Sequence, residues 1–157
     1  MSDVLRAVRP SDIEVICEHR ERMFAASGRE RADLRDMTDT FRDWLRPRLT
    51  DGSYFGWLIE KNGAIVAGAG MMILDWPPHP LHPTDARRGY VLNVFVEPDH
   101  RRQGLARRLM AEVDAEAKRR GVGYVILHAT RQGRAMYETL GWSQTSEMAI
   151  KLSPSSD

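Results

Sequence analysis

Hydrophobic residues recur with two different periods along the chain, and the period predicts the type of each element. In the first half, an apolar stretch typical of a strand precedes two segments whose apolar residues recur every three to four positions, as in amphipathic helices. Two apolar runs then flank Asn62 and Gly63, a pair typical of a tight hairpin turn. The predicted elements of this half are residues 4–8, 11–28, 34–49, 54–60 and 64–74.

The second half alternates predicted strands with predicted helices, after a proline-rich loop at residues 75–88. Strands joined by a helix run parallel in one sheet. We therefore predict one α/β domain over residues 1–152, with a flexible tail at residues 153–157. The predicted elements of this half are residues 89–96, 104–120, 122–128, 134–140 and a final strand within 142–152.

Composition excludes several classes of protein. The 157 residues carry 23 basic and 22 acidic side chains, and 42% of the residues are hydrophobic. This apolar fraction supports a folded core, and the near-zero net charge argues against a protein that coats nucleic acid. A single cysteine, Cys17, allows no internal disulfide. Without a signal pattern or an apolar run long enough for a membrane, we expect a cytoplasmic protein.

The most informative segment is residues 94–108, where a predicted strand runs through a turn into an amphipathic helix. The first turn of a helix exposes unpaired N–H groups and partial positive charge, which suits a phosphate. Gly104 and Ala106 leave room for a ligand at the backbone. An ordinary turn with a solvated basic face is the alternative. Four arginines surround this turn, namely Arg101, Arg102, Arg107 and Arg108.

Three motifs resemble the GNAT superfamily of N-acetyltransferases. Arg101-Arg102-Gln103-Gly104-Leu105-Ala106 fits that family's pyrophosphate-binding motif, [RQ]-x-x-G-x-[GA]. Residues 92–98 resemble its fourth strand, and Tyr137-Glu138-Thr139-Leu140-Gly141-Trp142 resembles its late tyrosine signature. The resemblance covers nearly the whole chain. It implies a single domain with a central mixed sheet of six to seven strands, helices on both faces, and fourth and fifth strands that splay apart.

The resemblance also implies that acetyl-CoA is bound as the acetyl donor. Backbone groups of residues 94–96 would pair with the pantetheine arm, and the turn at Gly104 would hold the pyrophosphate. Thr130 and Gly133 lie where the family often has asparagine and alanine beside the cofactor, so both residues depart from the family's pattern. The backbone contacts are therefore a firmer expectation than a side-chain role for Thr130. The implied cofactor-binding residues are Val94, Phe95, Val96, Arg101, Arg102, Gln103, Gly104, Leu105, Ala106, Arg107, Thr130 and Gly133.

By the same resemblance, Tyr137 is the general acid that protonates the departing thiolate of CoA. For the general base we place Glu97 first, with His128 and Asp75 as alternatives, because acetyl transfer needs a neutral amine. The expected substrate is a primary amine of a small molecule or a peptide, attacking the thioester directly in a ternary complex. The expected acceptor-binding residues are Arg22, Met23, Phe24, Trp76, Asn93 and His128.

Other functions remain as alternatives. The same fold would also serve as a non-catalytic acyl-CoA-binding sensor. A nucleic-acid-binding domain built on the arginines around Gly104 lacks interleaved aromatic residues. We expect no metal, because His79 and His82 have no further ligand at suitable spacing. We also expect no nucleic acid or membrane as a partner, and the resemblance allows a homodimer.

Overall fold

The computed structural model describes residues 3–154, and five strands form one sheet in the order of the chain. The first three neighbouring pairs are antiparallel, and the last pair is parallel. This change of direction follows from the connections, because a turn joins antiparallel strands whereas a helix crosses over between parallel ones. The strands are β1 (Val4–Ala7), β2 (Phe55–Lys61), β3 (Ala64–Asp75), β4 (Arg87–Val96) and β5 (Val125–Leu127).

Helices cover both faces of the sheet, as predicted. Because side chains alternate along a strand, neighbouring residues of β3 face different helices. Met71 packs with Met110 and Val113, whereas Met72 packs against Phe41 and its neighbours. None of the helices in residues 3–154 is both long and apolar enough to cross a membrane. The helices are α1 (Ile13–Ala26), α2 (Arg31–Asp51), α3 (Leu105–Arg119) and α4 (Arg131–Thr139).

A β-bulge in β4 shapes the centre of the sheet. Gly68 pairs with Phe95 and Gly70 with Leu92, so two residues of β4 oppose the single Ala69. The bulge places Asn93 in the left-handed region, at φ 56°, and its side chain reaches a residue of α1. Asparagine tolerates this conformation better than most residues with a side chain. The bulge therefore turns a polar side chain toward the α1 face.

Strands β4 and β5 pair over only part of their length. The ladder joins Gly89 to Val125 and ends where Val91 meets Leu127. Residues 92–96 of β4 continue without a partner on that side among the described residues. The two strands therefore part beyond Val91, and the backbone N–H and C=O groups of β4 line the opening.

The predicted number of strands is wrong, because the described sheet has five rather than six to seven. Residues 143–152, within the predicted final strand, have no regular secondary structure. Their apolar side chains alternate as in a strand, yet Met148, Ile150 and Leu152 are 94%, 83% and 76% exposed. Alternation favours a strand, but the ladder also requires a neighbouring edge, and this segment does not pair with one. Of the predicted tail, residues 155–157 lie outside the described residues.

Candidate active site

The turn between β4 and α3 leaves the beginning of α3 open. Gly104 precedes the helix in the left-handed region, at φ 78°, and no side chain caps the first turn. Arg102 also has a positive φ, 61°, which helps to reverse the chain. A Cβ added to Gly104 would meet no atom within 4 Å. The unpaired N–H groups of this turn therefore face open space, as an anion site requires.

The predicted basic residues surround this turn, but their side chains have different partners. Arg101 donates from Nε to the carbonyl of Val96 at 3.2 Å, and Arg107 donates to the hydroxyl of Thr139 at 2.8 Å. Arg102 and Gln103 are exposed. In contrast, the side chain of Leu105 is buried in the core, so any contact of Leu105 with an anion comes from its backbone. The turn thus combines open backbone donors with exposed positive charge.

The unpaired end of β4 leads directly into this turn. Val94 and Val96 pack on the α3 side of the sheet, whereas Phe95 is buried on the other side against His19, with ring centroids 4.6 Å apart. The N–H of Glu97 donates to Val66, so the strand still pairs with β3. Only the side facing β5 is open to an extended ligand, which can pair there as another strand would.

Thr130 begins α4. Its hydroxyl accepts a hydrogen bond from the N–H of Gly133 at 3.1 Å, the usual arrangement of a helix N-cap. A Cβ added to Gly133 would lie 3.2 Å from the ring of Tyr137. Both predicted positions are therefore close to Tyr137. Thr130 caps α4, and Gly133 leaves room for the ring of Tyr137.

Tyr137 lies on α4 and packs in the cluster that also contains Met71, Val91 and Val113. Its ring meets Trp142 edge-on, with centroids 6.1 Å apart. Burial raises the pKa of Tyr137 to about 12. Its hydroxyl forms no hydrogen bond with any described residue. The phenol is therefore protonated over the physiological range and has a proton to donate.

Glu97 follows β4 and is held by α1. The guanidinium of Arg22 donates to both carboxylate oxygens, at 2.6 and 2.7 Å, and its Cζ lies 5.0 Å from the ring centroid of Phe95. These hydrogen bonds lower the pKa of Glu97. Burial lowers the pKa of the neighbouring His19 to about 4, so that imidazole is neutral at neutral pH. Glu97 is consequently a weaker base than an unpaired carboxylate.

His128 and Asp75, the alternative bases, lie in different places. His128 is exposed and follows β5 directly, so it stands where the two strands part, and its ring meets Tyr90 edge-on at 5.7 Å. Asp75 is exposed at the end of β3, opposite Arg87. The structure thus places His128, but not Asp75, next to the opening between β4 and β5.

The bulge residue Asn93 lies at the centre of a polar network that sequence reasoning missed. Its Oδ1 accepts from Arg20 at 2.7 Å, and its Nδ2 donates to the hydroxyl of the buried Tyr54 at 3.0 Å. Burial raises the pKa of Tyr54 to about 12. Phe24, a predicted acceptor residue, packs its ring against Arg20. The signal for this network was Arg20 itself, a charged residue on the apolar face of α1.

The proline-rich loop contributes aromatic residues to the same face. The guanidinium of Arg88 lies between the rings of Trp76 and Tyr124, at 4.3 and 4.5 Å, and its Nε donates to Nε2 of His82. The other ring nitrogen of His82 bonds to a backbone carbonyl.

Met23, also a predicted acceptor residue, is half-buried on α1. Residues 3–154 contain no cluster of three or more side chains suited to a metal.

Comparison with known proteins identifies the family. The sequence model of the acetyltransferase (GNAT) family matches residues 14–142. The chain belongs to the GNAT acetyltransferase family. It is 30% identical over 115 residues to human N-acetyltransferase 8, covering 71% of this chain and 47% of that protein. The GNAT chain thus spans about half the length of this curated relative.

Two solved structures have a fold similar to that of this GNAT chain. A GCN5-related N-acetyltransferase from Ralstonia eutropha JMP134 is 47% identical, with a TM-score of 0.94 over 96% of this chain and 99% of the other. A predicted acetyltransferase from Clostridium acetobutylicum, solved with acetyl-CoA, is 27% identical, with a TM-score of 0.86 over 97% and 96%. These structures confirm a single GNAT domain with one mixed sheet.

Proposed function

We propose that this GNAT protein transfers the acetyl group of acetyl-CoA to a primary amine of a small molecule or peptide. The observation that carries the proposal is the continuous path from the unpaired end of β4 to the uncapped beginning of α3. An extended amide chain pairs with the first, and a pyrophosphate is neutralised by the second. CoA combines both groups in one molecule, and a relative with this fold was solved with acetyl-CoA.

In this proposal, acetyl-CoA lies along the opening between β4 and β5. The backbone of residues 94–96 pairs with pantetheine, while the backbone around Gly104 binds pyrophosphate and Arg101, Arg102 and Arg107 add positive charge. Gln103, Leu105 and Ala106 contribute their backbone at the turn. Thr130 and Gly133 support the α4 side of the donor site.

The reaction requires one proton to leave the amine and one to reach sulfur. The neutral nitrogen attacks the thioester carbonyl in the ternary complex, forming the C–N bond and an oxyanion. Collapse of this intermediate breaks the C–S bond, and the electron pair leaves on sulfur. Tyr137 donates its proton to that thiolate. The pKa of about 12 keeps the phenol protonated until the thiolate forms.

For the base, the environment of the two nearest candidates favours His128 over Glu97. Both oxygens of Glu97 are occupied by Arg22, and this pairing lowers the pKa of the carboxylate. His128 is exposed and stands beside the opening between β4 and β5. Imidazole is also the side chain best suited to proton transfer near neutral pH. We therefore propose His128 as the base, with Glu97 as the competing candidate.

Release of free CoA thiol tests the proposal. The full chain is incubated with acetyl-CoA and a panel of primary amines, and acetyl-CoA binding is measured in parallel by calorimetry. Acetyl-CoA binding together with amine-dependent thiol release is the expected result. Binding without release on any amine would favour the non-catalytic sensor instead. Failure to bind acetyl-CoA would contradict both functions.

A further inference from the structure

Arg20 carries a positive charge into the face of the sheet that contains the bulge. Its guanidinium lies 5.0 Å from the ring centroid of Phe24 and 4.7 Å from that of Phe41. One nitrogen, Nη1, donates to Asn93 at 2.7 Å. Nε is buried and has no hydrogen-bond partner in the part of the chain that the structure describes. The aromatic rings cover the guanidinium, and its polar edge is only partly used.

No carboxylate among the described residues pairs with Arg20. Glu97 is bound by Arg22, and Glu21 accepts from Thr38. Burial lowers the pKa of Arg20, the direction expected of a cation removed from water without an anion. An uncompensated charge in such a place is costly, and proteins normally pair it.

Other arginines near the surface illustrate the contrast. Arg6 donates to both oxygens of Asp12 at 2.9 Å, and Arg42 donates to Glu14 and Asp39, also at 2.9 Å. Both side chains lie nearer to solvent than Arg20, yet each is paired with a carboxylate. Arg20 is more buried than either and has no anionic partner within residues 3–154, which points to a ligand as its partner.

We propose that the acceptor amine carries a carboxylate, and that Arg20 binds this carboxylate while the amine reaches the thioester at the opening between β4 and β5. The inference rests on the proposed acetyl transfer and names the class of its acceptor. A guanidinium presents its N–H groups as a planar fork that matches the two oxygens of a carboxylate. The half-buried rings of Phe24 and Tyr90 supply an apolar wall for the rest of the molecule.

The charge of the site decides between classes of acceptor. Among the described residues, Arg20 lacks a carboxylate partner beside Asn93, whereas Arg22 is already neutralised by Glu97. A polycationic amine, such as an aminoglycoside, would bring further positive charge toward Arg20 and be repelled. An amino acid or a similar amino carboxylate brings both the nucleophile and the missing anion.

Matched sets of amines test the carboxylate directly in the unmodified protein. Phenylalanine, leucine and histidine are each compared with their carboxamide and their decarboxylated amine, and kcat/KM is measured through release of CoA thiol. The neutral carboxamide lowers the pKa of the amine and so increases its reactive fraction. A preference for the free acid over the carboxamide therefore cannot come from the reactive fraction of the amine. We expect kcat/KM to be about 10- to 100-fold higher for the free acid.

Variants then assign the preference to Arg20. Arg20→Met should remove most of the preference by raising KM for the free acid, and Arg20→Lys should restore part of it. Asn93→Asp should also remove it, because the new carboxylate would pair with Arg20 internally. Arg42→Lys is the matched control, because Arg42 is already paired with Glu14 and Asp39, and it should leave the preference unchanged. Calorimetry with acetyl-CoA verifies that each variant is folded.

Several outcomes would overturn this proposal. Turnover confined to carboxamides or decarboxylated amines would overturn the carboxylate while leaving acetyl transfer intact. Loss of the preference in Arg88→Met but not in Arg20→Met would show that Arg88, rather than Arg20, binds the carboxylate. A preference for phosphoethanolamine over ethanolamine, without one among the amino acids, would indicate a phosphate instead. Absence of turnover with every amine would contradict the proposed function itself.

Discussion

Arg22 of α1 holds Glu97, the residue after β4, through two hydrogen bonds of 2.6 and 2.7 Å. The pair ties α1 to the strand that borders the opening. Because both carboxylate oxygens are occupied, this contact changes how Glu97 can act. Glu97, a predicted base, therefore acts first by positioning α1. The same helix carries Arg20.

The Arg22–Glu97 pair should contribute stability that depends on pH. The folded-state pKa of Glu97 is lowered, so its contribution is present above the unfolded value, near 4.5, and is lost as the pH falls through the lower folded value. We expect Glu97→Gln to reduce the free energy of unfolding by about 1 kcal/mol at pH 7, the upper range for partly exposed pairs. Urea unfolding at pH 7 and pH 3 measures this. An equal difference at both pH values would contradict the prediction.

The choice between the two bases can be made by pH–rate profiles. If His128 removes the proton from the amine, His128→Asn should remove the enzyme's contribution to the acidic limb of the kcat/KM profile, which then reports only the ionisation of the amine. Glu97→Gln should retain that contribution. The measurement uses an amine whose turnover is already established. The opposite result would return the role to Glu97.

Tyr137→Phe should lower kcat by about 100-fold, because general acid catalysis commonly contributes at least that much. The hydroxyl forms no hydrogen bond with described residues, so the melting temperature and the affinity for acetyl-CoA should change little. Steady-state kinetics, calorimetry and thermal unfolding measure the three quantities. Tyr124→Phe is the matched control, since its ring contacts with Arg88 and His82 would persist. Unchanged kcat in Tyr137→Phe would remove this residue from the mechanism.

The two ends of α3 offer a matched test of the donor site. Gly104 and Gly121 have φ values of 78° and 69°, and an added Cβ meets nothing within 4 Å at either one. Alanine at each position should cost about 1 kcal/mol of stability, because both must keep a left-handed conformation. Only Gly104→Ala should also weaken acetyl-CoA binding, by about tenfold, since it alters the turn that would hold pyrophosphate.

Calorimetry and urea unfolding of both variants separate these effects. Equal affinities for acetyl-CoA in Gly104→Ala and Gly121→Ala would show that the beginning of α3 does not hold the donor. A selective loss in Gly104→Ala, with matched losses of stability, would assign the pyrophosphate to this turn.

Local sequence determined most of the elements and the position of the proposed donor site. The period of apolar residues predicted all four helices, and the order of strands and helices predicted the parallel pair β4 and β5. The turn at Gly104 was visible because its conformation and its open backbone depend on neighbours in sequence. Periodicity and turn chemistry are local properties, so a single chain reveals them.

Only the tertiary structure decided which polar groups meet. Arg22 and Glu97 are far apart in sequence, as are Arg20 and Asn93, and no spacing rule pairs them. The same reason explains the wrong final strand, since residues 143–152 have the alternation of a strand but no ladder partner. The sequence by itself determined how each segment folds and where an anion could bind. Packing between distant segments decided which charges are neutralised, and so left Arg20 without an anionic partner among residues 3–154.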